Sequence, residues 1–215
     1  MAAAPEGPEP APAPAPGQIY RLAWVLYLLL GLAGVVWLGV RHRIIPLELF
    51  VEPAEWWLDL GLGVGAGLLL LGFWEALRHI VPLARELEES IARVLASVDP
   101  TEAVALAVLS GFAEEVFFRG ALQGAFTWLP WLWSALFFSV LHTGSGRAFR
   151  LWTLFAFVAG LVLGLLMHWR GNLLGPVTAH VLVNAVSLSR IARRGVGEAE
   201  TETEAEEERD QATDS

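Results

Sequence analysis

The chain has no cysteine, which excludes disulfides, thiolate catalysis and zinc sites built on sulfur. It has no lysine either: all 14 basic residues are arginine, a bias that nothing in the composition explains. Charge is scarce and unevenly spread. The formal net charge is −9, yet residues 198–215 hold nine acidic residues against Arg209, Glu6 and Glu9 add two more, and residues 21–197 sum to +1. Nothing in that balance points to nucleic acid as a partner. The opening "MAAAPEGPEPAPAPAPG" lacks the basic start of a signal peptide, and the apolar run after it exceeds a signal core, so residues 22–40 read as a retained anchor. No inverted repeat of the kind that marks many transporters stands out.

What the chain does have is apolar length. Hydrophobic residues make up 55% of it and its mean hydropathy is +0.52, too apolar for an ordinary soluble domain of this size. Residues 22–40 and 151–169 each run 19 residues without an acidic or arginine side chain, about the length that spans a hydrocarbon core. Trp56, Trp57, Trp131, Trp152 and Trp169 sit near segment ends, as in interfacial belts.

Six apolar segments follow: 22–40, 56–74, 103–129, 130–142, 151–169 and 173–190. The expected fold class is all-α, a polytopic transmembrane helix bundle of about six spans with a short, broken fourth span. "DPTE" at 99–102 reads as a capping box that starts the third segment, with Pro100 in its first turn. Leu83, Leu87, Ile91, Val94 and Leu95 recur at helical spacing, with Glu86, Glu88, Glu89 and Arg93 on other faces. That pattern describes an amphipathic helix on the membrane surface. Gly61/Gly65, Gly63/Gly67 and Gly160/Gly164 have the spacing that lets helices approach closely. Four regions result: a disordered Pro/Ala-rich arm at 1–21, two spans and the surface helix at 22–99, a membrane core at 100–194, and a disordered acidic tail at 195–215. Six spans put both termini on one side. That side carries nine arginines against three, which predicts a multi-pass cell-membrane protein with cytoplasmic termini.

"GFAEEVFFRG" at 111–120 sets Glu114, Glu115 and Arg119 inside an apolar segment, where each charge opposes insertion by roughly 2.5 to 3.5 kcal/mol. Glu115 and Arg119 have the spacing and order of an intrahelical ion pair, which leaves Glu114 without a partner. The fourth segment ends in His142, and the sixth carries His180 and Asn184 on one helical face. At about 1.5 Å per residue, all four groups fall within a turn or two of the midplane of a core roughly 30 Å thick. The truncated fourth span and the "HTGSG" that begins at His142 then line a protein-buried or wet cavity. One carboxylate, two imidazoles and one amide in such a cavity make a hydrolytic set: a general base for water, an imidazole that orients water or delivers a proton, and donors to an oxyanion. No serine stands with them in a nucleophile context.

These motifs resemble those of the CPBP intramembrane proteases, which include the CAAX prenyl endopeptidases of the Rce type and the bacterial Abi or bacteriocin-immunity proteins. "EEVFFR" (114–119), "FSVLH" (138–142) and "HVLVN" (180–184) match the family's three motifs in its order. The resemblance covers roughly residues 100–190 and implies a catalytic membrane core there. It implies Glu114 as catalytic base, His142 as its helper in activating water, and His180 with Asn184 as the oxyanion site, with Glu115, Arg119 and Phe138 in support. The family is described both as metalloproteases and as glutamate-dependent enzymes, so the cofactor is either none or a divalent metal such as zinc held by Glu114, His142 and His180. The implied partners are membrane lipids and a peptide or protein substrate, lipidated or not. The rival expectations are a non-catalytic scaffold or immunity protein of the same fold, and a proton or ion carrier that uses Glu114 and the histidines as a relay.

Overall fold

The computed structural model describes residues 17–213, with side chains through Arg194. The Pro/Ala arm expected at 1–21 lies outside the described residues up to position 16, and its last residues form the first turn of a helix. The order is α1 Gln18–His42, α2 Trp56–Ile80, α3 Pro82–Val94, α4 Pro100–Glu115, a π-helical stretch Val116–Leu122, α5 Pro130–Leu141, α6 Arg147–Arg170 and α7 Leu174–Thr213. No strand occurs among the described residues, so the fold is an all-α bundle, as expected.

Among the described residues three helices, α1, α2 and α6, are long and apolar enough to cross a membrane. Leu22, Leu26, Leu29 and Leu32 on α1 are more than half exposed, a surface that suits lipid and not water. The inward faces meet in small clusters. Leu70 and Trp74 of α2, Leu87 of α3 and Phe155 of α6 form one, and Leu38 of α1 joins Val116, Ala121 and Leu173 in another.

The start of α4 follows its local sequence. The Asp99 carboxylate accepts from the backbone N–H groups of Thr101 and Glu102 at 2.7 and 2.9 Å, and the Glu102 carboxylate accepts from that of Asp99 at 3.2 Å. The rest of the third segment departs from the single helix expected over 103–129. It widens into the π-helical stretch and then tightens into one 3-10 turn at Gln123–Ala125. Side chains from other segments supply donors to its carbonyls: Ser134 donates to Phe118 O at 3.0 Å and Arg41 to Ala121 O at 3.0 Å. Such stretches occur where tertiary partners replace regular helical bonds.

α3 does not lie on the surface with every acid turned outward. Leu87 and Glu88 are both buried, at 0 and 3% exposure, because three arginines and Trp74 converge on Glu88. Of the glycine pairs, Gly63 and Gly67 form the α2–α7 seam: a β-carbon at Gly63 would stand 2.5 Å from Gly175 O, and one at Gly67 2.9 Å from Leu182 Cδ2. Gly61 and Gly65 have nothing near them and serve no seam, since they lie on the opposite side of α2. Gly160 and Gly164 meet Ala135 and Trp131 of α5. Trp152, expected at an interface, instead stacks with Phe155 and faces the His142 ring at 5.7 Å. At the C-terminus the helix continues to Thr213 where a disordered tail is expected. Alanine and glutamate are strong helix formers, and α7 has already nucleated the helix that they extend.

Candidate active site

The site forms where α4 and α7 come closest. At Gly111 an added β-carbon would lie 2.8 Å from Val181 Cγ2 and 3.1 Å from the Val181 backbone nitrogen, so only glycine permits this approach. One turn further along α4, Glu114 and Glu115 reach the face of α7 that carries His180 and Asn184. α5 ends at Leu141, and His142, just past its last turn, comes in from the other side.

Glu115 is the anchor. Its Oε1 accepts from Arg119 Nη1 at 2.8 Å and from His180 Nδ1 at 2.7 Å. The expected ion pair is therefore present, and His180 joins it as a second donor that helical spacing could not reveal. Arg119 is fully buried; its Nη2 donates to Gly160 O at 3.4 Å, and its guanidinium lies 4.4 Å from the centre of the Phe138 ring. A buried charge needs such partners. The ring of Phe138 also packs 4.4 Å from that of His142 and edge-on to His180 at 5.7 Å, which makes it a support for three groups at once.

Glu114 differs from its neighbour. It is 6% exposed, and its Oε2 is buried with no hydrogen-bond partner. The nearest cation-forming atoms are His180 Nε2 at 3.8 Å and His142 Nε2 at 3.9 Å. Both rings are held by their other nitrogen, His180 by Glu115 and His142 by the carbonyl of Phe138 at 2.8 Å. Each Nδ1 therefore carries the proton, and each Nε2 is turned toward Glu114. The backbone carbonyl of His142 is fixed in turn by the Thr153 hydroxyl at 3.0 Å.

Asn184 lies one turn beyond His180, and its amide donates to Ser110 Oγ at 3.0 Å. One amide hydrogen thus remains available. Ser110 escaped the sequence reading, although its place four residues before Glu114 on α4 was the available signal. Ser110, Glu114, Phe138, His142, His180 and Asn184 line one cavity of about 460 Å3. Its remaining wall is mostly apolar, with Leu26 and Leu30 from α1, Ile91 from α3, Leu95 just past its end, and Leu188 from α7.

The candidate metal set, Glu114, His142 and His180, is brought together. However, among the described residues no group of three or more His, Asp or Glu side chains takes up an arrangement that would hold a metal ion. Glu115 already engages Nδ1 of His180, and the Nε2 atoms of His180 and His142 stand 3.8 and 3.9 Å from Glu114 Oε2.

Comparison with known proteins agrees with the motif reading. Residues 97–186 match the family described as type II CAAX prenyl endopeptidase Rce1-like. Uncharacterized protein YpbD of Bacillus subtilis (strain 168) is 42% identical over 89 residues. That match takes in 40% of this chain and 43% of YpbD, so the chain spans less than half the length of this relative. No solved structure matches the chain. The capped α4, the π-helical stretch, α5, α6 and the first part of α7 are thus the portion of this membrane protein that is similar to the Rce1-like family.

Proposed function

We propose that the protein is an intramembrane endopeptidase of the CAAX-protease type, in which Glu114 activates a water molecule for attack on a peptide carbonyl. The observation that carries this reading is the state of Glu114: a buried carboxylate oxygen without a hydrogen-bond partner, flanked at 3.8 and 3.9 Å by two imidazole nitrogens whose rings are held from behind. Glu115 Oε2 is likewise unpartnered, but Glu114 alone is faced by two imidazole nitrogens within 4 Å, and there its free lone pairs can accept from the nucleophilic water.

In this reaction Glu114 takes a proton from water as the resulting hydroxide bonds to the carbonyl carbon. His142, held at Nδ1 by its own helix, orients the water through Nε2 and passes the proton to the amine as the carbon–nitrogen bond breaks. The oxyanion accepts from the free amide hydrogen of Asn184 and from His180 Nε2 when that ring is doubly protonated, a cation that Glu115 balances. Removal of one such donor typically lowers turnover by roughly 100- to 1000-fold.

The protein passes the membrane several times with both termini cytoplasmic, in keeping with its nine arginines against three. Membrane lipids surround it. The substrate is a membrane peptide or protein whose apolar part, lipidated or not, fits the apolar wall of the cavity. The test compares new peptide termini in membranes from cells that express the wild type or Glu114→Gln at matched levels. Termini formed only with the wild type are expected and would name the substrate. Identical sets, with both proteins folded, would sink the endopeptidase and favour a scaffold or immunity role.

A further inference from the structure

Outside the matched segment, α1 contributes a polar group to the same cavity. Tyr27 lines it together with Glu114, His142 and His180, and the Tyr27 phenol interacts with the Glu114 carboxylate. The placement follows from helix packing. Tyr27, Gly31, Gly34 and Leu38 are spaced by four, three and four residues and therefore share one face of α1. Gly34 and Leu38 on that face are buried. A β-carbon at Gly31 would touch Ala113 Cβ at 3.4 Å, and one at Gly34 would come within 3.0 Å of the Phe117 backbone. The glycines thus bring α1 against the turn that carries Glu114, and Tyr27 is the next side chain along the stripe. Between Trp24 and Arg41 on this face, its hydroxyl is the one polar side-chain group.

We infer that Tyr27 is a positioning residue for the general base: its hydroxyl donates to the Glu114 carboxylate during turnover and fixes which oxygen faces the attacking water. This inference rests on the endopeptidase reading. It assigns to α1 a share of the active site that residues 97–186 do not contain. Glu115 holds one imidazole from behind and Phe138 O holds the other, but the described residues give Glu114 no such restraint within α4, α5 or α7. Tyr27 is placed to supply it. A tyrosine suits the task because a phenol can donate one directed hydrogen bond while its ring packs against apolar neighbours.

The test uses a synthetic peptide that spans a cleavage junction mapped from wild-type membranes, with the full-length protein in lipid vesicles. Tyr27→Phe keeps the ring and removes the donor; Tyr27→Leu removes both. If the hydroxyl positions Glu114, both variants lower the saturating rate by roughly 10- to 100-fold, the equivalent of one hydrogen bond to a charged group. The half-saturating peptide concentration and the unfolding temperature of Tyr27→Phe stay at the wild-type values. A Tyr27→Phe protein as fast as the wild type, with only Tyr27→Leu impaired, would reduce Tyr27 to a packing residue and overturn the inference while leaving the protease reading intact. If Glu114→Gln and the wild type yield the same termini, the protease reading fails and the role of Tyr27 falls with it.

Discussion

Two buried glutamates, 26 positions apart in the chain, are treated in opposite ways. Glu88 on α3 is saturated. Its Oε1 accepts from Trp74 Nε1 at 2.9 Å and Arg190 Nη2 at 2.7 Å, while its Oε2 meets Arg78 Nε at 2.9 Å and Arg194 Nη1 at 3.1 Å. Glu114 on α4 is nearly as buried, at 6 against 3% exposure, yet its Oε2 has no hydrogen-bond partner. A carboxylate with every lone pair engaged ties helices together and has little left for chemistry. One held among groups just out of bonding range has its basicity available for a substrate or water. Burial alone therefore does not distinguish these two acids; the number of donors does.

A second saturated site sits at the other end of α2. There the Asp59 carboxylate, fully buried, accepts from Asn172 Nδ2 at 2.8 Å and from Arg170, which also binds Glu55. Asp59 and Arg78 are separated by about 28 Å along the helix axis, close to the thickness of a hydrocarbon core. The two saturated clusters thus cap the bundle at either end, and the unsaturated one lies between them.

The contrast breaks first at Glu115 in the candidate site: its Oε1 takes two donors, as Oε1 of Glu88 does, while its Oε2, like that of Glu114, is buried without a hydrogen-bond partner. Glu115→Ala strands the fully buried Arg119 and frees His180, and the expected loss is about 3 to 5 kcal/mol, enough to prevent folding or to shift detergent-based unfolding far below the wild type. Unfolding within about 1 kcal/mol of the wild type would mean that Arg119 finds another partner. Glu88→Ala is expected to have a smaller effect, about 1.5 to 3 kcal/mol, because Arg78, Arg190 and Arg194 are 16, 30 and 46% exposed and can reach water. Its folded fraction should cleave at the wild-type rate, and a loss of cleavage with the fold intact would tie Glu88 to the reaction. The smallest stability change belongs to Glu114→Gln: Oε2 has no hydrogen bond to lose and the amide oxygen can still accept from Tyr27, so its unfolding should stay within about 1 kcal/mol of the wild type even as proteolysis stops. Destabilisation as large as that of Glu115→Ala would erase the distinction between the two neighbouring acids.

The four catalytic candidates were legible because depth in a helix is simple arithmetic: about 1.5 Å per residue places groups on different segments at one level. The Asp99 capping box was legible because its bonds connect residues at most three apart. Other features hid from the same reading. Ser110 and Tyr27 are ordinary residues for an apolar helix, and only neighbours from α7 and α4 give them a role. Glu88 looked like one more solvated acid until α2 and α7 brought three arginines to it.

By itself, then, the sequence determined the helical class, the apolar lengths, the start of α4 and the depth of its polar groups, since these depend on composition and on bonds within a turn or two. Tertiary structure decided which glutamate is tied down and which is free, which glycine pair forms a seam, and where the helix around Arg119 gives up its regular bonds. Those outcomes depend on how each helix is rotated about its axis, and that rotation is set by close packing between segments far apart in the chain, as at Gly111 against Val181 and Gly63 against Gly175.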